Sequence, residues 1–92
     1  MKIIGKPILE EFKRKHADAR SQVDSWIAET EEAEWKTPHE VKDRYPNASL
    51  LGDGIVIFNI KRDNYRLKVL ISYKSGNVSI QNAGTHSEYM RW

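Results

Sequence analysis

Tyr65-Arg66-Leu67-Lys68-Val69-Leu70-Ile71-Ser72-Tyr73 is the longest run of alternating side chains in this chain, and its reading decides the fold. Successive side chains of a β-strand point to opposite faces. Tyr65, Leu67, Val69, Ile71 and Tyr73 therefore share an apolar face, while Arg66, Lys68, Leu70 and Ser72 share the other. An apolar strand face needs a second layer to cover it. Upstream, Ile55 to Ile60 reads as a strand joined to this one by a hairpin loop, Lys61-Arg62-Asp63-Asn64. A short strand, Ser49 to Leu51, precedes it across the Gly52-Asp53-Gly54 turn. Downstream, Lys74-Ser75-Gly76-Asn77 turns the chain into a last strand, Val78 to Ala83.

The covering layer is written in the N-terminal half. Pro7 suits the first turn of a helix, where its missing N–H costs nothing. Ile8, Leu9 and Phe12 form an apolar stripe on that helix. A second helix from Asp18 to Ala33 places Ala19, Val23, Trp26, Ile27 and Thr30 at the three-and-four spacing of a half-buried helix. Trp26 and Trp35 read as core, and Trp92 has no assigned place. Carboxylates gather from Glu29 to Glu34 at the C-terminal end, where the helix dipole disfavours them; cations of a partner protein would compensate, or solvent alone would suffice. Thr37-Pro38-His39-Glu40 is a capping box with proline in the first helical position. That helix must be short, because Pro46 pushes Tyr45 out of helical geometry. Thr85-His86-Ser87-Glu88 repeats the capping pattern and opens a final helical turn. The expected fold is α+β, one domain over residues 1–92. Two N-terminal helices pack on one face of a small antiparallel sheet, with a short third helix and a short C-terminal helical turn.

Composition narrows the function classes. Ninety-two residues, 39% hydrophobic and 30% charged, fit one soluble globular domain and exclude a disordered chain. The absence of cysteine excludes disulfides and thiolate metal sites. No apolar run approaches the roughly 20 residues that span a bilayer, and no signal-peptide core opens the chain. The cytoplasm is the expected compartment, with no membrane contact. The net charge of +2 is unevenly spread: residues 1–43 sum to −2 and residues 44–92 to +4. A basic second half suits a polyanionic partner.

Trp35-Lys36-Thr37-Pro38, Phe58-Asn59-Ile60-Lys61 with Tyr65-Arg66-Leu67, and Gly84-Thr85-His86-Ser87-Glu88-Tyr89 together resemble the HigB branch of the RelE-type toxins, the ribonuclease halves of bacterial toxin–antitoxin pairs. The order of helices and strands extends the similarity over nearly the whole chain. The resemblance implies a RelE-like fold and a protein that cuts messenger RNA on the translating ribosome, at the ribosomal A site, and so stops translation. It also implies a HigA-type helix-turn-helix antitoxin, with DNA reached only through that partner. One departure stands out. The family commonly carries an aspartate and further residues after the Glu-Tyr pair, where this chain has Met90-Arg91-Trp92, so no role of that aspartate carries over.

The residues can be matched to that chemistry. RNA is cut when a 2′-hydroxyl loses its proton and attacks the adjacent phosphorus, which needs a base, an acid at the leaving 5′-oxygen and positive charge at the phosphorane. No metal or other cofactor is required. His86 is the best proton-transfer group, since imidazole titrates near neutrality. Tyr89, three residues on, shares its helix face and supplies a second such group, stacks on a base, or anchors the C-terminus. Arg66 can bridge two phosphate oxygens. Lys61 and Lys68 hold the backbone as point charges, and Asn59 and Asn64 position sugar or base edges. His16 and His39 lie at helix ends and read as structural. Two alternatives compete with the enzyme: a small RNA-binding module that cuts nothing, and a decayed toxin that acts as a partner-binding regulator.

Overall fold

The computed structural model describes residues 1–62 and 64–92. Asp63, read above as part of the hairpin loop, lies outside them. The order of elements is β1 (Lys2–Ile4), α1 (Lys6–Lys15), a 3-10 turn (Ala17–Ala19), α2 (Arg20–Glu32), α3 (Pro38–Arg44), β2 (Ser49–Gly52), β3 (Ile55–Ile60), β4 (Tyr65–Ser72), β5 (Asn77–Thr85) and α4 (His86–Tyr89). The fold is α+β, built on one five-stranded sheet in the order β1-β5-β4-β3-β2.

The sheet is mixed, which corrects the expectation of a purely antiparallel one. β2, β3, β4 and β5 are antiparallel neighbours, but β1 adds to the free edge of β5 in parallel, Ile3 opposite Val78. Lys2-Ile3-Ile4 is too short to show a period, and only Ile3 is buried. Its backbone groups find partners on a strand some 75 residues away, a pairing that no local pattern announces. Gly5 then turns the chain straight into α1 with φ 94°, a left-handed conformation in which a Cβ would meet Ile80 at 3.3 Å.

The alternation in β4 is kept in the structure: Leu67, Val69 and Ile71 are buried and Arg66 and Lys68 half-buried. Across the strand pairs, Val56 and Phe58 of β3 face Val69 and Leu67. These residues share one hydrophobic cluster with Leu9 and Phe12 of α1, Val23 and Trp26 of α2, Trp35, Val41 of α3, and Val78 and Ile80 of β5. Trp26 and Tyr45 meet the Phe58 ring edge-on, and Trp35 stacks on it. β5 runs two residues further than expected and its register shifts opposite Lys68/Val69, where Gln81 is the extra residue. β2 carries a second irregularity, between Leu50 and Gly52.

Both capping boxes form. Thr37 accepts from the Glu40 amide and Thr85 from the Glu88 amide, while each glutamate reaches back to its threonine's N–H. Two of the carboxylates at the end of α2 meet cations of this same chain. Lys6 lies 2.6 Å from Glu31, and Arg44 pairs with Glu29, which also accepts the Tyr45 hydroxyl. Burial and that carboxylate push the Tyr45 phenol up. No described helix is long and apolar enough to cross a membrane.

Candidate functional site

The face of the sheet turned away from the cluster carries Asn59, Arg66 and Gly84 in one cross-strand row and Ile57, Lys68 and Asn82 in the next. Arg66 and Lys68 are two strand residues apart, roughly 7 Å. Among the described residues, no carboxylate stands in either row.

The terminal helical turn reaches this face because of three neighbouring residues. Gly84 lets it approach: a Cβ there would stand 2.9 Å from Glu88 Oε1 and 3.2 Å from Glu88 Cβ. Thr85 and Glu88 then close the box, with Thr85 N–H donating to Glu88 Oε1 at 2.9 Å. That donated bond holds the Glu88 carboxyl below its usual range, with smaller help from the Thr85 hydroxyl, His16 and Lys15. The Gly-Thr-His-Ser-Glu-Tyr stretch is thus a device for folding α4 back over β4 and β5, and α4 packs against both.

α4 delivers His86 and Tyr89 together. Their rings are 6.2 Å apart, tilted by 37°. The Arg66 guanidinium stands 5.5 Å from the centre of the Tyr89 ring, within cation–π range. Its Nη1 donates to the Tyr65 carbonyl at 3.4 Å. The His86 amide donates to the Asn64 carbonyl at 3.2 Å, tying the hairpin loop to the start of α4. Asn64, Arg66, Thr85, His86 and Ser87 line one open depression. His86 is exposed there, while Arg66 and Tyr89 are half-buried. An imidazole and a guanidinium at that depression, with a phenol beside both, are of the types that can supply two proton-transfer groups and one bidentate cation.

The other residues named from the sequence fall in three places. Lys68 lines a second depression on the same face, with Tyr89. Asn59 stands opposite Arg66 in the ladder, and its amide donates to the Asn47 carbonyl at 3.3 Å. Lys61 sits at the hairpin with a carboxylate partner. It adopts φ 50°, its backbone N–H donates to Gln22, and its ammonium sits 3.1 Å from Asp18. Asp18 also accepts the Tyr65 hydroxyl at 2.8 Å, and these two partners hold its carboxyl below the usual range, the phenol most. His16 packs between Phe12 and Tyr65, with ring centres 5.0 and 4.8 Å away. Trp92, left without a place by the sequence, meets Tyr89 edge-on at 5.6 Å. Its spacing of three from Tyr89 was the available signal, since residues three apart in a helical turn are neighbours. No group of three or more metal-ligating side chains occurs among the described residues.

A family model described as HigB toxin, the RelE-like toxic component of a toxin–antitoxin system, matches residues 19–92. That span runs from α2 to α4 and takes in every strand except β1. No curated protein matches the chain. With the match covering most of its length, the chain belongs to the RelE-like toxins of toxin–antitoxin systems, and membership implies an antitoxin as its partner.

Proposed function

We infer that this toxin is a metal-independent endoribonuclease that cuts messenger RNA on the translating ribosome, at the ribosomal A site, and is neutralised by a HigA-type helix-turn-helix antitoxin in the cytoplasm. The observation that carries the reading is the gathering of Arg66 and His86 at one open depression, with the Tyr89 ring beside both, on a sheet face whose rows through Arg66 and Lys68 hold no carboxylate among the described residues. The reading includes a two-layer arrangement, with α1 and α2 on one sheet face and RNA on the other; the shared apolar cluster supports it.

In this reaction the 2′-oxygen forms a bond to phosphorus as the bond from phosphorus to the 5′-oxygen breaks. His86 and Tyr89 divide the two proton transfers, one taking the 2′-hydroxyl proton and the other protonating the leaving oxygen. Arg66 holds two phosphate oxygens as charge grows on them, and its fixed fork needs little reorganisation to do so. The products are a 2′,3′-cyclic phosphate and a 5′-hydroxyl. Lys68, with Asn59 and Asn64 at the margin, steadies the strand. Lys61 holds RNA only after leaving Asp18.

Translating ribosomes incubated with the protein should yield new 5′-hydroxyl ends within coding sequence, undiminished by a chelator at concentrations that leave the ribosomes intact. Salt-sensitive RNA binding without new ends would instead identify a non-catalytic binding module.

A further inference from the structure

Beside the rim, Leu51, Ile57, Lys68, Tyr89, Met90 and Trp92 line the second depression on the outer sheet face. Met90 is 70% exposed, Leu51 58% and Trp92 38%, so large apolar side chains gather in solvent at one spot. Tyr89 is already engaged: the Arg66 guanidinium stands over its ring, and His86 and Trp92 flank it. Trp92 meets it edge-on at an interplanar angle of 80°, which leaves the indole as the more available aromatic surface. Buried Ile57 is part of its lining, the one charged side chain lining it is a lysine, and no Asp or Glu is among the residues that line it.

An exposed ring next to an ammonium with no carboxylate in its cross-strand row, continuous with a cationic strand, matches the combination by which proteins hold single-stranded nucleic acid: an aromatic surface for the base, a cation for its phosphate. An apolar protein partner would have no use for the charge. We propose that Trp92 is the stacking platform for a nucleobase of single-stranded RNA, next in line to the nucleotide whose phosphate Arg66 holds, with Lys68 on the intervening phosphate. The proposal rests on the ribonuclease reading and adds to it a base subsite.

The chain carries its own probe, because Trp26 and Trp35 are only 2% and 6% exposed, which leaves Trp92 as the tryptophan a bound base can quench. The intact protein is titrated with a single-stranded RNA made uncleavable by one 2′-deoxy substitution. Emission should fall with the wild type and stay unchanged with Trp92→Phe. Trp92→Ala should weaken binding about 5- to 150-fold, the range of one lost base–aromatic stack. Circular dichroism and melting temperature should be unaltered in both variants. On programmed ribosomes, a message with one abasic position beside the cut should be cut by the wild type as slowly as Trp92→Ala cuts the normal message. Trp92→Ala should be insensitive to the abasic change.

If new 5′ ends still appear but Trp92→Ala keeps full rate and full abasic sensitivity, the subsite is wrong and the ribonuclease stands. Emission that shifts with protein concentration and ignores RNA would make the patch a self-association surface and overturn the proposal. If neither binding nor new ends are seen with the wild type, both readings fall together.

Discussion

Arg66 and Tyr89 lean on each other, with a guanidinium stacked over a phenol ring 5.5 Å away, and that contact separates the ring's role from its hydroxyl's. Tyr89→Phe keeps the cation–π partner and removes the proton. Cleavage should fall about 10²-fold or more with little change in KM, as single-turnover rates on programmed ribosomes would show. His86→Ala should cost about 10²–10⁴-fold and Arg66→Ala about 10²–10³-fold. Arg66→Lys should recover little, because a single ammonium cannot span two phosphate oxygens. Expression without antitoxin, followed by growth, gives a coarse version of the same comparison. Sequence spacing was enough to bring His86 and Tyr89 together, since three residues make nearly one helical turn. The pairing of Lys61 had no such local signal, since it depends on a left-handed backbone and on Asp18, a residue 43 positions earlier.

Among the elements, α4 is four residues long and depends on its box rather than on helix propensity. Thr85→Ala should destabilise by about 1 kcal/mol, the usual worth of an N-cap. Gly84→Ala should cost about 1–3 kcal/mol by overpacking, because relieving the 2.9 Å contact pulls Glu88 Oε1 off the Thr85 amide. Urea midpoints at constant m-value would register both. Cleavage should fall more than stability does, since α4 aims His86 and Tyr89. The two boxes and the alternation of β4 were legible because each is a short-range signal with a physical cause within a few residues. β1 and the bulge at Gln81 were not: β1 answers a strand some 75 residues away, and the bulge depends on how β5 registers against β4.

For the whole molecule, charge acts at two ranges. The basic second half was visible in composition, and it predicts RNA binding that weakens linearly with the logarithm of salt concentration. Lys68→Ala should reduce that slope by about 0.7 for a single strand, measured by titrations from low to physiological salt. At shorter range, Asp18 and Glu88 are carboxyls held below their ordinary range by folding. The unfolded chain therefore takes up protons first as pH drops. Their contribution to stability is present above about pH 4 and is lost as pH falls through their lowered folded values. Thermal melts between pH 7 and 3 should show this decline, and Asp18→Asn with Glu88→Gln should flatten it.

The outermost strands of the sheet are β1, with three residues, and β2, with four and an irregular register. A neighbouring copy approaching either rim finds few unpaired amides, broken in line at one side and guarded by Lys2 at the other. Native molecules are therefore poor templates for fibril growth, and turbidity on heating should follow the melting transition rather than precede it.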